Sequence, residues 1–342
     1  MYRFSVRALP IVAALVAATC ATPAFAQLTL DGNAYYTTAA DTLAADISGF
    51  DVFVGKTSLA NFATVPGNAT LTINPGATVT GFGDTYPDTE SYYGIAIFDN
   101  YGVTVTGGDV DEITAYDTSR LDIADGTFAD IGMRDTSTAT VTGGTFASFY
   151  IYDTSAADIT GGDFNTIETQ GFAIMNISLA NVVGATAYDN SVMNLTGGDS
   201  GRVVSHNDGV VNISGGTHAD FGGFEFGVIN VSGGTISGTF NLYESSTINF
   251  FGTGFTTSYA GSGFDFQNNE CDAFDVSGTV GGVLKSYVVN VRNAGTPDPT
   301  PRRFNFLAPV VVPEAGTLAL LGLGCWVLGA VVVRRREVSL TA

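Results

Sequence analysis

Basic residues are scarce in this chain: 13 of its 342 residues are Lys or Arg against 33 Asp or Glu, for a net charge of −20. A surface of that sign repels nucleic acid and anionic lipid, so these are the first partners excluded. Only two histidines occur, His206 and His218. They fall in different columns of the repeat described below, so no catalytic dyad is indicated. Cysteine is equally sparse. Cys20 and Cys325 lie in apolar runs at the two ends, which leaves Cys271 alone between them and no internal disulfide. What abounds is glycine, with 43 residues, in a chain that is 45% hydrophobic and therefore too apolar for a disordered acidic tail.

Those glycines are periodic. From Tyr101 to Ser262, nine stretches align on a strict period of 18 residues. Gly-Gly pairs begin at Gly107, Gly143, Gly161, Gly197, Gly215 and Gly233, and Asp125-Gly126 and Leu179-Ala180 fill the two gaps in register. Self-similarity at so short an interval marks a stacked repeat protein, because one unit cannot bury an apolar face alone.

Numbering each stretch from its first residue, the fifth column reads Val105, Ile123, Val141, Ile159, Ile177, Leu195, Ile213 and Val231, and the third is also apolar, from Val103 to Ile229. The ninth stretch slips by one, to Ile248 or Phe250. The fourth column is polar throughout, ending in Asn176, Asn194, Asn212 and Asn230. This alternation predicts a half-buried strand with the third and fifth positions inward. The Gly-Gly pair that follows is a corner. The tenth and thirteenth columns then return inward, as in Phe146 and Phe149. A second corner stands at Asp117-Thr118-Ser119, Asp135-Thr136-Ser137, Asp153-Thr154-Ser155 and Asp189-Asn190-Ser191, whose side chains can bond their own backbone. The pattern predicts an all-β protein, a parallel β-helix of nine rungs at about 4.8 Å spacing. Its apolar columns do not recur every six residues, which disfavours the left-handed hexapeptide form and favours a right-handed coil.

The ends carry addresses. Residues 1–26 combine Arg3 and Arg7, an apolar run from Ala8 to Ala18, and Ala24-Phe25-Ala26, the parts of a secretory signal peptide cleaved after Ala26. At the other end Thr317 to Val333 is uncharged, about 25 Å as a helix, and predicts a transmembrane helix over 317–333. Arg334, Arg335 and Arg336 follow it and would hold the C-terminus in the cytoplasm. Val312-Pro313-Glu314, that apolar segment and the three arginines together resemble the PEP-CTERM sorting signal of exported bacterial proteins, with Ala315 where the family has a second proline. The resemblance implies recognition by an exosortase in the inner membrane of a Gram-negative bacterium. It further implies removal of the tail near Pro313-Glu314 and delivery to the surface or extracellular matrix.

Between the ends, residues 27–100 predict an N-terminal β cap in which Ala69 to Thr80 resembles a rung out of phase and Phe82 to Asn100 reads as an insertion loop. Residues 101–262 are the solenoid and 263–294 a C-terminal cap. Residues 295–311 are a Pro-rich linker, and the sorting tail occupies 312–342.

Three outward columns are candidate sites. Asp117, Asp135, Asp153 and Asp189 would line up as a cation ladder, with Ca²⁺ as the one cofactor considered, or as solvated turns; the nonapeptide of calcium-binding β-rolls is missing. Tyr116, Tyr152 and Tyr188 share the sixteenth column and would stack on sugar rings or pack at a corner. The Asn-x-Ser/Thr sequences at the four asparagines above read as an amide ladder along the rod rather than as glycosylation sites. Arg120, Arg134 and Arg202 are scattered, and no catalytic constellation emerges. The reading is an exported β-solenoid with a structural or adhesive role and exopolysaccharide as its partner. The alternatives are a polysaccharide lyase or hydrolase on the same fold and a calcium-dependent adhesin.

Overall fold

The computed structural model describes residues 28–30, 33–36, 42–43, 47–48, 52–55, 70–80, 84–85, 91–92, 94–257, 272–292 and 303–307. The signal peptide, the 317–333 segment and the whole sorting tail, Val312 to Arg336 included, lie outside the described residues. Among the described residues every regular element is a strand, and no helix is long and apolar enough to cross a membrane.

The body is a parallel β-solenoid of about nine turns. One rung shows why. Thr138–Val141 alternates outward and inward, a glycine corner follows, and Thr145–Ile151 makes the second leg before the Asp153 corner. Each strand pairs in parallel with the one 18 residues on: Val141↔Ile159 in the short-strand sheet, Phe146↔Phe164 and Phe149↔Ile167 in the long-strand sheet. A constant offset stacks like on like, so an apolar column becomes an apolar ladder. Phe128, Phe146 and Phe164 stack at 4.8 and 4.3 Å between ring centroids, with Phe149 edge-on to Phe146 at 5.9 Å. Such ring pairs add roughly 0.5–1.5 kcal/mol each beyond burial.

The third, fifth, tenth and thirteenth columns are buried as the alternation requires. Two more columns join them. The fifteenth, with Ala115, Met133, Ile151, Thr169 and Ala187, is also interior, because the long strand bends at its eleventh-column residue, which enters no ladder pair. The first column, with Ser119, Ser137, Ser155 and Ser191, is buried beneath the Asp corner. Ser155 and Ser191 donate their hydroxyls to the carbonyls of Tyr152 and Tyr188 at 2.6 Å.

The coil starts before Tyr101, which corrects the expected boundary. Thr70–Ile73 and Thr78–Thr80 pair in parallel with the first strands of the period (Leu71↔Val103, Val79↔Val110), and Gly94–Ile97 stacks beneath Glu112–Ala115. Residues 70–100 are thus a full rung whose second leg is split, Thr78–Thr80 and Gly94–Ile97 lying on successive parts of Asp109–Ala115 with a segment inserted between them. The insertion lengthens the offset from 18 residues (Ile95↔Ile113) to 32 (Leu71↔Val103), which hides the rung from a fixed-period reading. The expected loop from Phe82 to Asn100 is accordingly shorter, since 94–100 belongs to the coil. Below it Val52–Val54 and Asn33–Tyr36 continue the stack, and Leu28–Leu30 turns back antiparallel on the latter.

The far end departs from the repeat in two steps. His218 pairs with Ile236 but Phe221 with Phe240, so one extra residue enters at Ser237-Gly238 and places Phe250 opposite Val231. Then Thr247–Thr257 runs on where a corner is due and pairs antiparallel with Asp272–Val280. That strand forms a hairpin with Val283–Arg292 through Gly281 (φ 59°) and Gly282 (φ 78°), the two positive angles a tight hairpin turn demands. The hairpin strand, not a direct continuation, lies on Thr239–Tyr243 and replaces the second leg expected for the ninth rung. Arg303–Leu307, inside the expected linker, stacks parallel on the start of Thr247–Thr257.

Candidate functional site

The Asp corner holds its residues in the left-handed region. Asp117, Asp135, Asp153 and Asp189 have φ of 56–58°, and Asp99, Asn207, Glu225 and Glu244 extend the column with φ of 52–57°. Asp and Asn tolerate that region because their short side chains bond locally. Here the bond reaches across one rung rather than to the residue's own backbone. The Asp117, Asp135 and Asp153 carboxylates accept the N–H of Asp99, Asp117 and Asp135 respectively, each at 3.0 Å. Thr118, Thr136 and Thr154 donate hydroxyls to the carbonyls of the same three aspartates at 3.0, 2.8 and 2.7 Å. One oxygen of each carboxylate is therefore engaged by backbone, and Gly171 breaks the column between Asp153 and Asp189. Among the described residues no group of three or more His, Cys, Asp or Glu is placed to hold a metal ion.

The tyrosines occupy three separate settings on one half-buried edge. Tyr116 stacks on Phe98 at 5.1 Å. Tyr152 lies under the Arg134 guanidinium at 5.1 Å, and burial pushes its phenol above the ordinary value. Tyr188 begins a stack through His206, Phe224 and Tyr243 with centroid separations of 5.0, 4.5 and 4.4 Å. These ring faces are turned along the rod onto the neighbouring rungs, and it is the edges that look outward.

His218 sits in the tenth column, on the inner face, where the other rungs carry Phe, Val or Ile except for Ser200 beside it. Its Nε2–H donates to the Gly215 carbonyl and its Nδ1 accepts the Ser200 hydroxyl, both at 2.7 Å. A hydroxyl on imidazole is the geometry of an activated nucleophile. Yet His218 is 1% exposed and Ser200 9%, so the pair serves the core. Desolvation lowers the pKa of His218, and likewise of His206 inside its ring stack. The unfolded chain therefore binds more protons below about pH 6.5, and stability should fall as pH drops through that value. Urea midpoints measured from pH 7.5 to 5 should show the decline. The double substitution Ser200→Val/His218→Phe, which restores an apolar column, should flatten it in part, the His206 contribution remaining.

The third ladder is the most regular. Asn176 donates to Asp158, Asn194 to Asn176, Asn212 to Asn194, Asn230 to Asn212, Asn249 to Asn230 and Asn305 to Asn249, all at 2.7–2.8 Å between Nδ2 and Oδ1. Each linking amide uses one of its two N–H donors and one lone pair along the rod. The remaining donor and acceptor of every rung are left for other partners on the outer face of the short-strand sheet. Asn249 and Asn305 extend the column past the register slip, and neither was predicted, because the period fails there.

Fold and ladders together define the class: a parallel β-solenoid with repeating polar columns on its outside. Residues 311–336 match the PEP-CTERM protein-sorting motif. That motif is the signal exosortases recognise, and it implies export, membrane anchoring before processing, and exosortase processing. No curated protein and no solved structure matches the chain.

Proposed function

We propose that this chain is a structural and adhesive component of the cell surface or extracellular matrix, a right-handed rod that associates with exopolysaccharide. Parallel crossovers favour that hand. The observation that carries the reading is the amide ladder from Asn176 to Asn305 on a body joined to a sorting motif. Neutral donors and acceptors repeated once per rung suit an extended polymer, which can meet many weak sites at once, better than a compact metabolite. Delivery follows the sorting route: cleavage after Ala26, anchoring through 317–333, and removal of the tail near Pro313-Glu314. The high negative charge, 31 acidic against 8 basic residues over 27–313, keeps such a rod soluble.

Protein recovered from outside the cells, its termini read by mass spectrometry, should begin near Gln27 and end near Pro313. Incubated with neutral and acidic polysaccharides, it should bind at least one without shortening it. Retention of Arg334 to Arg336 would overturn the sorting half of the proposal, and depolymerisation would turn the assignment to a lyase or hydrolase.

A further inference from the structure

Where the hairpin of 272–292 folds back over the coil, its Gly281-Gly282 tip overhangs the outer face of the short-strand sheet. The two enclose a cleft of about 630 Å³. The hairpin is held there by Lys285, whose ammonium donates to the Gly234 carbonyl at 2.6 Å and lies 3.3 Å from the Thr235 hydroxyl. Asn212 and Asn230 form the floor, Ser232 and Phe251 flank them, and Thr253 and Thr279 line the wall below the tip.

The lining bears no charge, on a chain whose net charge is −20. It offers amides, hydroxyls and a single outward ring. Anionic ligands are repelled by the surrounding field, and a cation finds no carboxylate in the lining. A wholly apolar guest would leave the spare amide donors and acceptors unpaired, which is costly once water is expelled. A polyhydroxylated, uncharged guest satisfies both demands: its hydroxyls reach the amides, and its C–H face rests on Phe251. The volume falls within the usual range of ligand clefts, about 300–1,000 Å³. The amide ladder also leaves the cleft at both ends, towards Asn194 on one side and Asn249 on the other. Its repeat of about 4.8 Å is of the order of one sugar unit.

We propose that this cleft is a binding site for a segment of an uncharged glycan chain, laid parallel to the rod along the amide ladder. The inference rests on the adhesive reading above and adds to it where the polymer is gripped and of what charge class it is.

The test uses the full chain in detergent and three variants: Thr253→Trp, which fills the cleft from an exposed position, Asn212→Leu/Asn230→Leu, which removes the floor amides, and Thr145→Trp, an exposed control on the long-strand sheet. Each is titrated with a soluble uncharged glucan and with a polyuronate, with melting curves and gel filtration in parallel. The expected result is glucan binding by the parent and the Thr145→Trp control, weakened about tenfold or more in both cleft variants at unchanged melting temperature in Thr253→Trp. Equal glucan binding in all four proteins would overturn the cleft while leaving the adhesive reading standing. Preference for the polyuronate would overturn the neutral class. A parent that binds neither polymer would overturn the adhesive reading and the cleft together. A shift in oligomeric state on Thr253→Trp without a change in glucan binding would assign the cleft to a contact between copies of the chain, and so overturn the proposal.

Discussion

Ile159→Asp should abolish the single cooperative unfolding transition. Ile159 is 1% exposed and sits in the fifth-column ladder between Val141 and Ile177. An unpaired carboxylate there has no donor to meet it, and the effective penalty of burying an ion is several kcal/mol even after relaxation. That is comparable with the whole stability of a domain, about 5–15 kcal/mol. The loss is amplified by architecture. In a stack each rung is held only by its two neighbours, so a rung that opens in the middle uncouples the coils on either side. Circular dichroism during urea unfolding should show one sharp transition in the parent and a broad or split one in the variant. Thr138→Asp tests the alternative that any added charge would do the same: it is outward, between Arg120 and Ala156, and should cost no more than about 1 kcal/mol. A parent-like curve for Ile159→Asp would mean that the fifth column does not face the core.

Which parts of this fold are legible in sequence follows from where the period holds. The third and fifth columns could be read because a short strand alternates without interruption, and the amide column because it lies between them. The fifteenth column follows from the thirteenth by alternation, Ile131 to Met133 and Phe149 to Ile151, while the bend at column eleven puts both out of step with the tenth. The rung at 70–100 escaped because an insertion splits its second leg, although its pairing is as regular as any other. The Asp corner was read as a turn, correctly in place but not in mechanism. Its carboxylates bond the rung before, a partner 18 residues away that single-turn chemistry does not suggest. The cleft could not be read at all, since its roof comes from a hairpin anchored 51 residues from the carbonyl that holds it.

Gly215→Ala should be among the most damaging conservative substitutions in the chain. A methyl group built on Gly215 would lie 2.1 Å from the carbonyl oxygen of Thr196, in the corner one rung below. The corresponding distances are 2.4 Å at Gly161, 2.1 Å at Gly197 and 2.0 Å at Gly233, so the crowding belongs to the stacking of corners and not to one site. The neighbour cannot retreat. Thr196 is tied by its N–H to the Ile177 carbonyl at 2.8 Å, and Ser214 to that of Leu195 at 2.9 Å, so opening the gap stretches the ladder itself. Overpacking against movable side chains costs about 1–3 kcal/mol, and backbone that is pinned on both sides should place this change at the top of that range. Gly254→Ala supplies the comparison. Gly254 has φ of 67° but nothing within 4 Å of an added methyl, so only the left-handed penalty of about 1–2 kcal/mol applies. At Leu179-Ala180 the first residue of the pair carries a side chain, 72% exposed, so that one corner admits a Cβ where the glycine corners do not. Urea midpoints at constant slope should therefore rank Gly215→Ala as costlier than Gly254→Ala, and combining it with Gly233→Ala, one rung on, should cost more than the sum because both open the same stretch of ladder. Equal midpoints for Gly215→Ala and Gly254→Ala would show that the corners are not in close contact.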